Sequence, residues 1–103
     1  MRKYLLPLTI ISSLYATPPC EYEQQKVCLQ LYKTGLSAEI NAVNTTHKRV
    51  LIQAEATLDG YHRKFENWIL EPYQIVQMLK SNYTVPNQQP RIGYNTIEYK
   101  FLD

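Results

Sequence analysis

The chain has 103 residues, 45% of them hydrophobic, with 11 Lys+Arg against 9 Asp+Glu, a length and composition that fit one globular domain. A formal charge of +2 is too small for a surface that neutralises several phosphates, so no nucleic-acid partner is expected. With only three glycines there is no glycine loop to cradle a phosphate and no nucleophile elbow.

Residues 1–16 read as a secretory signal peptide. Arg2 and Lys3 make a basic start, an apolar run follows from Leu5 to Leu14, and Ala16 is a small residue acceptable to a signal peptidase. The competing readings are a strand of the fold and a membrane anchor. The run is well short of the roughly 20 apolar residues of a spanning helix, and Pro7 is poorly placed in a central strand. Cys20 raises lipidation, but Thr17, Pro18 and Pro19 before it do not resemble a small-residue lipobox. Cleavage after Ala16 removes Arg2 and Lys3, so Lys+Arg falls from 11 to 9 against 9 Asp+Glu and the remaining chain is formally neutral. A domain of this size buries only about 60–65% of its surface and is marginally stable.

The two cysteines, Cys20 and Cys28, both follow the leader and would meet an oxidising compartment after export. In extended chain they lie roughly 26 Å apart, against a limit of about 7 Å between Cα atoms for a disulfide. A Cys20–Cys28 bond therefore requires residues 21–26 to reverse direction, and closing so small a loop contributes about 2.5 kcal/mol on chain-entropy grounds. Free thiols and a metal site are the alternatives. Two thiols with no companion Cys/His pair do not match zinc spacing, and no metal or cofactor is expected.

From Val27 onward the chain reads as strands. Val27, Leu29 and Leu31 alternate with Cys28, Gln30 and Tyr32, and Lys33, Thr34 and Gly35 supply a turn in which glycine can take positive φ. In residues 36–42 the apolar Leu36, Ala38, Ile40 and Ala42 alternate with Ser37, Glu39 and Asn41, and in 50–58 Val50, Ile52, Ala54, Ala56 and Leu58 alternate with polar residues, broken only by Leu51. The polar stretch 44–49 joins them, which predicts an antiparallel hairpin with Ile40 and Ile52 inward. Asp59 and Gly60 signal the next turn. Tyr61, His62, Arg63 and Lys64 lead into an apolar run from Phe65 to Leu70, with Arg63 and Lys64, like Lys48 and Arg49, read as solvated turn residues.

Residues 72–80 fit either a strand after a proline turn or a short helix with Pro72 at its first position, and the strand is preferred. Residues 81–90 read as a surface loop, and Ile97, Tyr99 and Phe101 alternate through a final strand. The expected fold is all-β: a small antiparallel immunoglobulin-like β-sandwich occupying 17–103 after the signal peptide 1–16.

This succession, from Val27 through the strand at 36–44 with its Asn-led polar turn, Val50 to Leu58, the Trp68 strand ending at Pro72, and the tyrosine-rich last strand, resembles the immunoglobulin-like domain ahead of the catalytic domain in bacterial M23-type cell-wall endopeptidases. It is similar, secondarily, to the first domain of periplasmic pilus chaperones. The resemblance covers roughly residues 27–101 and implies a β-sandwich in the cell envelope. The zinc ligands of the endopeptidases belong to a separate domain, and the basic pair that anchors pilin ends in the chaperones has no secure counterpart here.

No catalytic constellation is visible. His47 and His62 each sit beside basic residues with no nucleophile or carboxylate motif around them, so the chain is not expected to be an enzyme. Nine tyrosines are the compositional excess; they suit either the interior of a sandwich or a wet, apolar binding surface, for which Trp68, Tyr73 and Tyr94 are the candidates. Asn44 and Asn82 each begin an Asn-X-Thr acceptor pattern. The expected role is that of a non-catalytic exported binding or regulatory module contacting an envelope protein partner, in the periplasm or secreted. A structural accessory subunit, or a fragment of a larger secreted protein, is the alternative.

Overall fold

The computed structural model describes residues 2–5 and 26–102, which are strands and their connections with no helix. The strands are β1 (Arg2–Leu5), β2 (Val27–Lys33), β3 (Ser37–Asn44), β4 (Val50–Leu58), β5 (Tyr61–Leu70), β6 (Ile75–Asn82) and β7 (Thr96–Phe101). They form two antiparallel sheets, one ordered β1-β7-β4-β5 and the other β2-β3-β6.

Strand β4 shows why the chain adopts this form. Its burial alternates without exception, with Val50, Ile52, Ala54, Ala56 and Leu58 inside, and it lies between β5 and β7. Opposite that face, β2, β3 and β6 contribute Val27, Leu29, Leu31, Ala38, Ile40, Ala42 and Met78, and the two sheets share a single core. Each large aliphatic side chain so buried contributes about 1.5–3 kcal/mol. Cys28 and Gln30 are buried as well, although they lie on the other side of β2 from Leu29.

The expected hairpin between residues 36–44 and 50–58 is not formed. Strand β3 pairs with β2 and β6, whereas β4 pairs with β5 and β7, so the connection at 45–49 crosses from one sheet to the other. Alternation fixes which face of a strand is buried and leaves its neighbour open. The hairpins that do form are β2–β3 and β4–β5. The first is closed by the Thr34 amide donating to the Ser37 carbonyl at 2.9 Å, without positive φ at Gly35. The second turns on Asp59 (φ 51°) and Gly60 (φ 84°), the two left-handed residues of a type I′ turn.

Other expectations shift by smaller amounts. Leu36 is half exposed and lies outside β3. His62, Arg63 and Lys64 belong to strand β5 and not to a turn, with Arg63 donating to the Met78 carbonyl at 3.2 Å and its guanidinium 5.0 Å from the Phe65 ring centre. Residues 75–82 are strand β6, as preferred over a helix, and Ser81 and Asn82 belong to it and not to the following loop. The stretch read as a leader contains β1, which pairs with β7. Residues 6–16 and Cys20 lie outside the described residues.

Candidate functional site

At the end of the molecule where β4 begins and β7 ends, Lys26, Thr45, Thr46, His47, Lys48, Tyr73, Tyr99 and Phe101 line an open cleft of about 630 Å³. The cleft is organised by one buried side chain, Asn44, which is only 1% exposed. Its Oδ1 accepts from the Thr46 amide at 2.9 Å and the Thr46 hydroxyl at 2.7 Å. Its Nδ2 donates to the carbonyls of Lys48 at 2.7 Å and Glu71 at 3.0 Å. A short polar residue that bonds its own backbone two positions on bends the chain at that point, and here the bend carries it from β3 toward the other sheet. Because both ends of the amide are occupied, Asn44 is a structural bolt and not an accessible acceptor for modification. Asn82, in contrast, is exposed.

Around this bolt the cleft walls are tied by backbone bonds. The Thr45 amide and hydroxyl both donate to the Lys26 carbonyl at 2.8 Å. The Asn44 amide donates to the Gln74 carbonyl at 2.9 Å, and the Tyr73 amide to the Thr46 carbonyl at 3.2 Å. Tyr73 takes a left-handed conformation, φ 59°, in the tight turn between β5 and β6, a conformation uncommon outside glycine and asparagine. It projects its ring 68% exposed. The Lys48 ammonium stands 5.9 Å from the Phe101 ring centre, and Phe101 meets Tyr99 edge-on at 5.6 Å. Lys26 and Lys48 supply positive charge, Tyr73, Tyr99 and Phe101 supply aromatic surface, and among the described residues no carboxylate side chain belongs to the lining.

The three aromatic candidates are not brought together. Tyr73 is in the cleft. Trp68 is on edge strand β5 opposite Ile52, 40% exposed and stacked on Phe65 with ring centres 4.5 Å apart. An extra residue in β5 between the Ile52 and Ala54 positions, with Asn67 left-handed at φ 50°, returns Trp68 to the face of Phe65. Tyr94 is exposed near the opposite end of the molecule, where Leu58 meets Ile92. Since Val50 is opposite Phe101 at the cleft end, the two ends of β4 are separated by roughly 26 Å of strand.

That far end is closed by a polar lock. Asp59 accepts from the Tyr83 hydroxyl and from the Arg91 amide, the latter at 2.7 Å. Partial burial opposes ionisation of Asp59, but the bonds from Tyr83, Arg91 and Ser81 and the Arg91 charge outweigh it and hold the carboxyl below its usual 3.8. Burial, and then the adjacent Asp59, push the Tyr83 hydroxyl up to about 12. The buried Lys33 donates to the Thr34 carbonyl at 2.6 Å and lies 5.1 Å from the Tyr83 ring centre. The exposed His62 is 3.4 Å from the half-buried Glu55, and His47 is on the rim of the cleft; no nucleophile bonded to either is found among the described residues.

Sequence reasoning placed neither Lys26 nor Asn44 in a site, reading Asn44 as the head of a polar turn and of an acceptor pattern, and took Lys48 for a solvated turn residue. The available signal was Asn44-Thr45-Thr46, an Asx-turn pattern immediately before His47-Lys48-Arg49. Compared with protein-family models, curated proteins and solved structures, the chain matches none of the three.

Proposed function

We propose that the chain is a non-catalytic, exported binding module that holds an envelope protein partner through the cleft at Lys26, His47, Lys48, Tyr73 and Phe101. The observation that carries this is the composition of the cleft, a concave surface whose lining among the described residues holds two lysines, a histidine and three aromatic rings and no acidic side chain. Its volume of about 630 Å³ is in the range of sites that enclose a small ligand or a few residues of a peptide. A positive concavity on a chain that is formally neutral without residues 1–16 selects an anionic partner surface.

On this reading the two sheets form an immunoglobulin-like sandwich. Strands β2, β3 and β6 correspond to A, B and E, and β4, β5 and β7 to C, C′ and F, consistent with the observed pairings. Residues 1–16 direct export, and Cys20 and Cys28 join as a disulfide in the oxidising compartment.

The test is retention of a partner from envelope extract on the immobilised chain, compared with a Lys26→Glu/Lys48→Glu variant whose circular dichroism and melting match the parent. A single identified protein, held by the parent, lost from the variant and released by moderate salt, supports the proposal. Equal retention by both forms overturns it.

A further inference from the structure

We propose that the outer edge of β7 is a strand-accepting site, filled here by the chain's own Arg2–Leu5 and able to take in its place an extended partner segment with acidic residues at its N-terminal flank. The acidic flank rests on the cleft reading above; the accepting edge does not.

The pairing is antiparallel, with Arg2, Lys3, Tyr4 and Leu5 opposite Tyr99, Glu98, Ile97 and Thr96. On its other side β7 is held by β4 from Val50 to Glu55, so β1 occupies what would otherwise be an open row of backbone donors and acceptors. In an immunoglobulin-like sandwich the place beside F belongs to strand G. Among the described residues, the segment in that place is β1, from the opposite end of the sequence. A main-chain edge recognises any extended segment through its backbone, and its side-chain surroundings then choose among sequences.

The shortness of the pairing makes β1 a replaceable occupant. Among the described residues it pairs with four residues of β7, short of Lys100 and Phe101, and a short edge pairing opens at low free-energy cost. Its first residue, Arg2, is at the register position of Tyr99, which lines the cleft with Lys26 and Lys48. A longer occupant in the same direction would place the residues preceding the Arg2 position opposite Lys100 and Phe101, at the mouth of that cleft, where acidic side chains meet the positive charge of Lys26 and Lys48. Export with cleavage after Ala16 would remove β1 altogether and leave the edge open.

The experiment uses the full chain and hydrogen exchange read by mass spectrometry. Tyr4→Pro, made together with Lys3→Pro so that whichever of the two neighbouring N–H groups faces β7 is removed, should quicken exchange over residues 96–101 about tenfold or more while β3 keeps its protection. A synthetic peptide with two aspartates ahead of an alternating Thr-Val run should restore protection of β7, and the same peptide with lysines for the aspartates should do so more weakly. Unchanged β7 exchange in the variant, or failure of both peptides, overturns the accepting edge. Equal action of the two peptides refutes the acidic flank, and the cleft reading with it, while the edge stands. Should the double variant loosen β3 as well, the unmodified chain with excess aspartate peptide decides the matter: faster exchange in residues 2–5 supports displacement, and no change refutes it.

Discussion

Replacing Asn44 with alanine tests whether one side chain holds the cleft end together. The substitution deletes four hydrogen bonds, from the Thr46 amide and hydroxyl and to the carbonyls of Lys48 and Glu71, at a residue 1% exposed. At about 1 kcal/mol each, with part of the desolvation penalty left on the orphaned groups, the expected loss is about 3–5 kcal/mol. That is a large share of the roughly 5–15 kcal/mol total of a domain this size. Thr45→Ala is the control next door. The Thr45 hydroxyl shares the Lys26 carbonyl with the Thr45 amide, so the acceptor stays satisfied and the loss should be below about 1 kcal/mol. Urea denaturation of the three proteins, with unchanged slopes, gives both numbers. A loss under about 1 kcal/mol for Asn44→Ala would show that the bend between the sheets is set by something else.

Ile52→Asp places a carboxylate at a fully buried position and should cost several kcal/mol, whereas Glu55→Gln on the opposite face should change stability by about 0.5 kcal/mol or less; the reverse order in thermal melts would mean that β4 faces the other way. A Cβ at Gly93 would collide with the Thr57 side chain, so Gly93→Ala should cost about 1–3 kcal/mol. Adding Thr57→Ala, which also removes a buried hydroxyl with no hydrogen-bond partner, should recover most of that loss in the same urea titrations. Because folding raises the Tyr83 hydroxyl from 10 to about 12, its contribution is complete below pH 10 and is lost as pH rises through about 12. Tyr83→Phe should flatten the decline in stability across that window, and a parallel decline would refute the assignment. The lowered Asp59 carboxyl acts in the opposite sense, its contribution present above pH 3.8 and lost on acidification below it. Mass spectrometry of the exported product should find an N-terminus near Thr17, and non-reducing peptide mapping should find Cys20 linked to Cys28.

Much of the strand content was legible because the inward positions of β4, and Ile97 and Tyr99 in β7, carry a strict period of two, although Phe101, next in that series, is 41% exposed. Val50, Ile52, Ala54, Ala56 and Leu58 could be assigned to the core from their spacing alone, and all five are buried. Their neighbours could not be assigned. The same alternation fits β3 beside β4 or in the facing sheet, and the choice is made by Asn44, whose amide bends the chain only because four partners converge on it. Trp68 was obscured differently. Counting by twos from Phe65 sends it to the opposite face, and only the extra residue at the left-handed Asn67 brings it back. In β2 the burial of Cys28 and Gln30 beside Leu29 reflects a second covered face, which an alternating sequence does not announce. The cleft was least legible, since Lys26, Lys48, Tyr73 and Phe101 come from separate stretches of chain and meet only once the sheets are assembled.

The two ends of the β4–β7 pair differ in a way that separates stability from binding. At the Leu58 end the charged groups face one another: Asp59 is matched by Tyr83 and by the Arg91 backbone and charge, so the field is largely satisfied within the protein and little remains to attract a partner. At the Val50 end, Lys26 and Lys48 flank aromatic surface with no acidic side chain in the lining among the described residues, and the bonds that shape the walls are made by Asn44 and the backbone, not by the lysine ammonium groups. Charge at that end can therefore be altered without dismantling the scaffold, since exposed charges contribute little to folding, while their field acts directly on an approaching anion. The groups that shape the cleft, the Asn44 amide and main-chain amides and carbonyls, and the side chains that would recognise a partner are distinct sets, which is the arrangement expected of a binding site carried on a rigid scaffold.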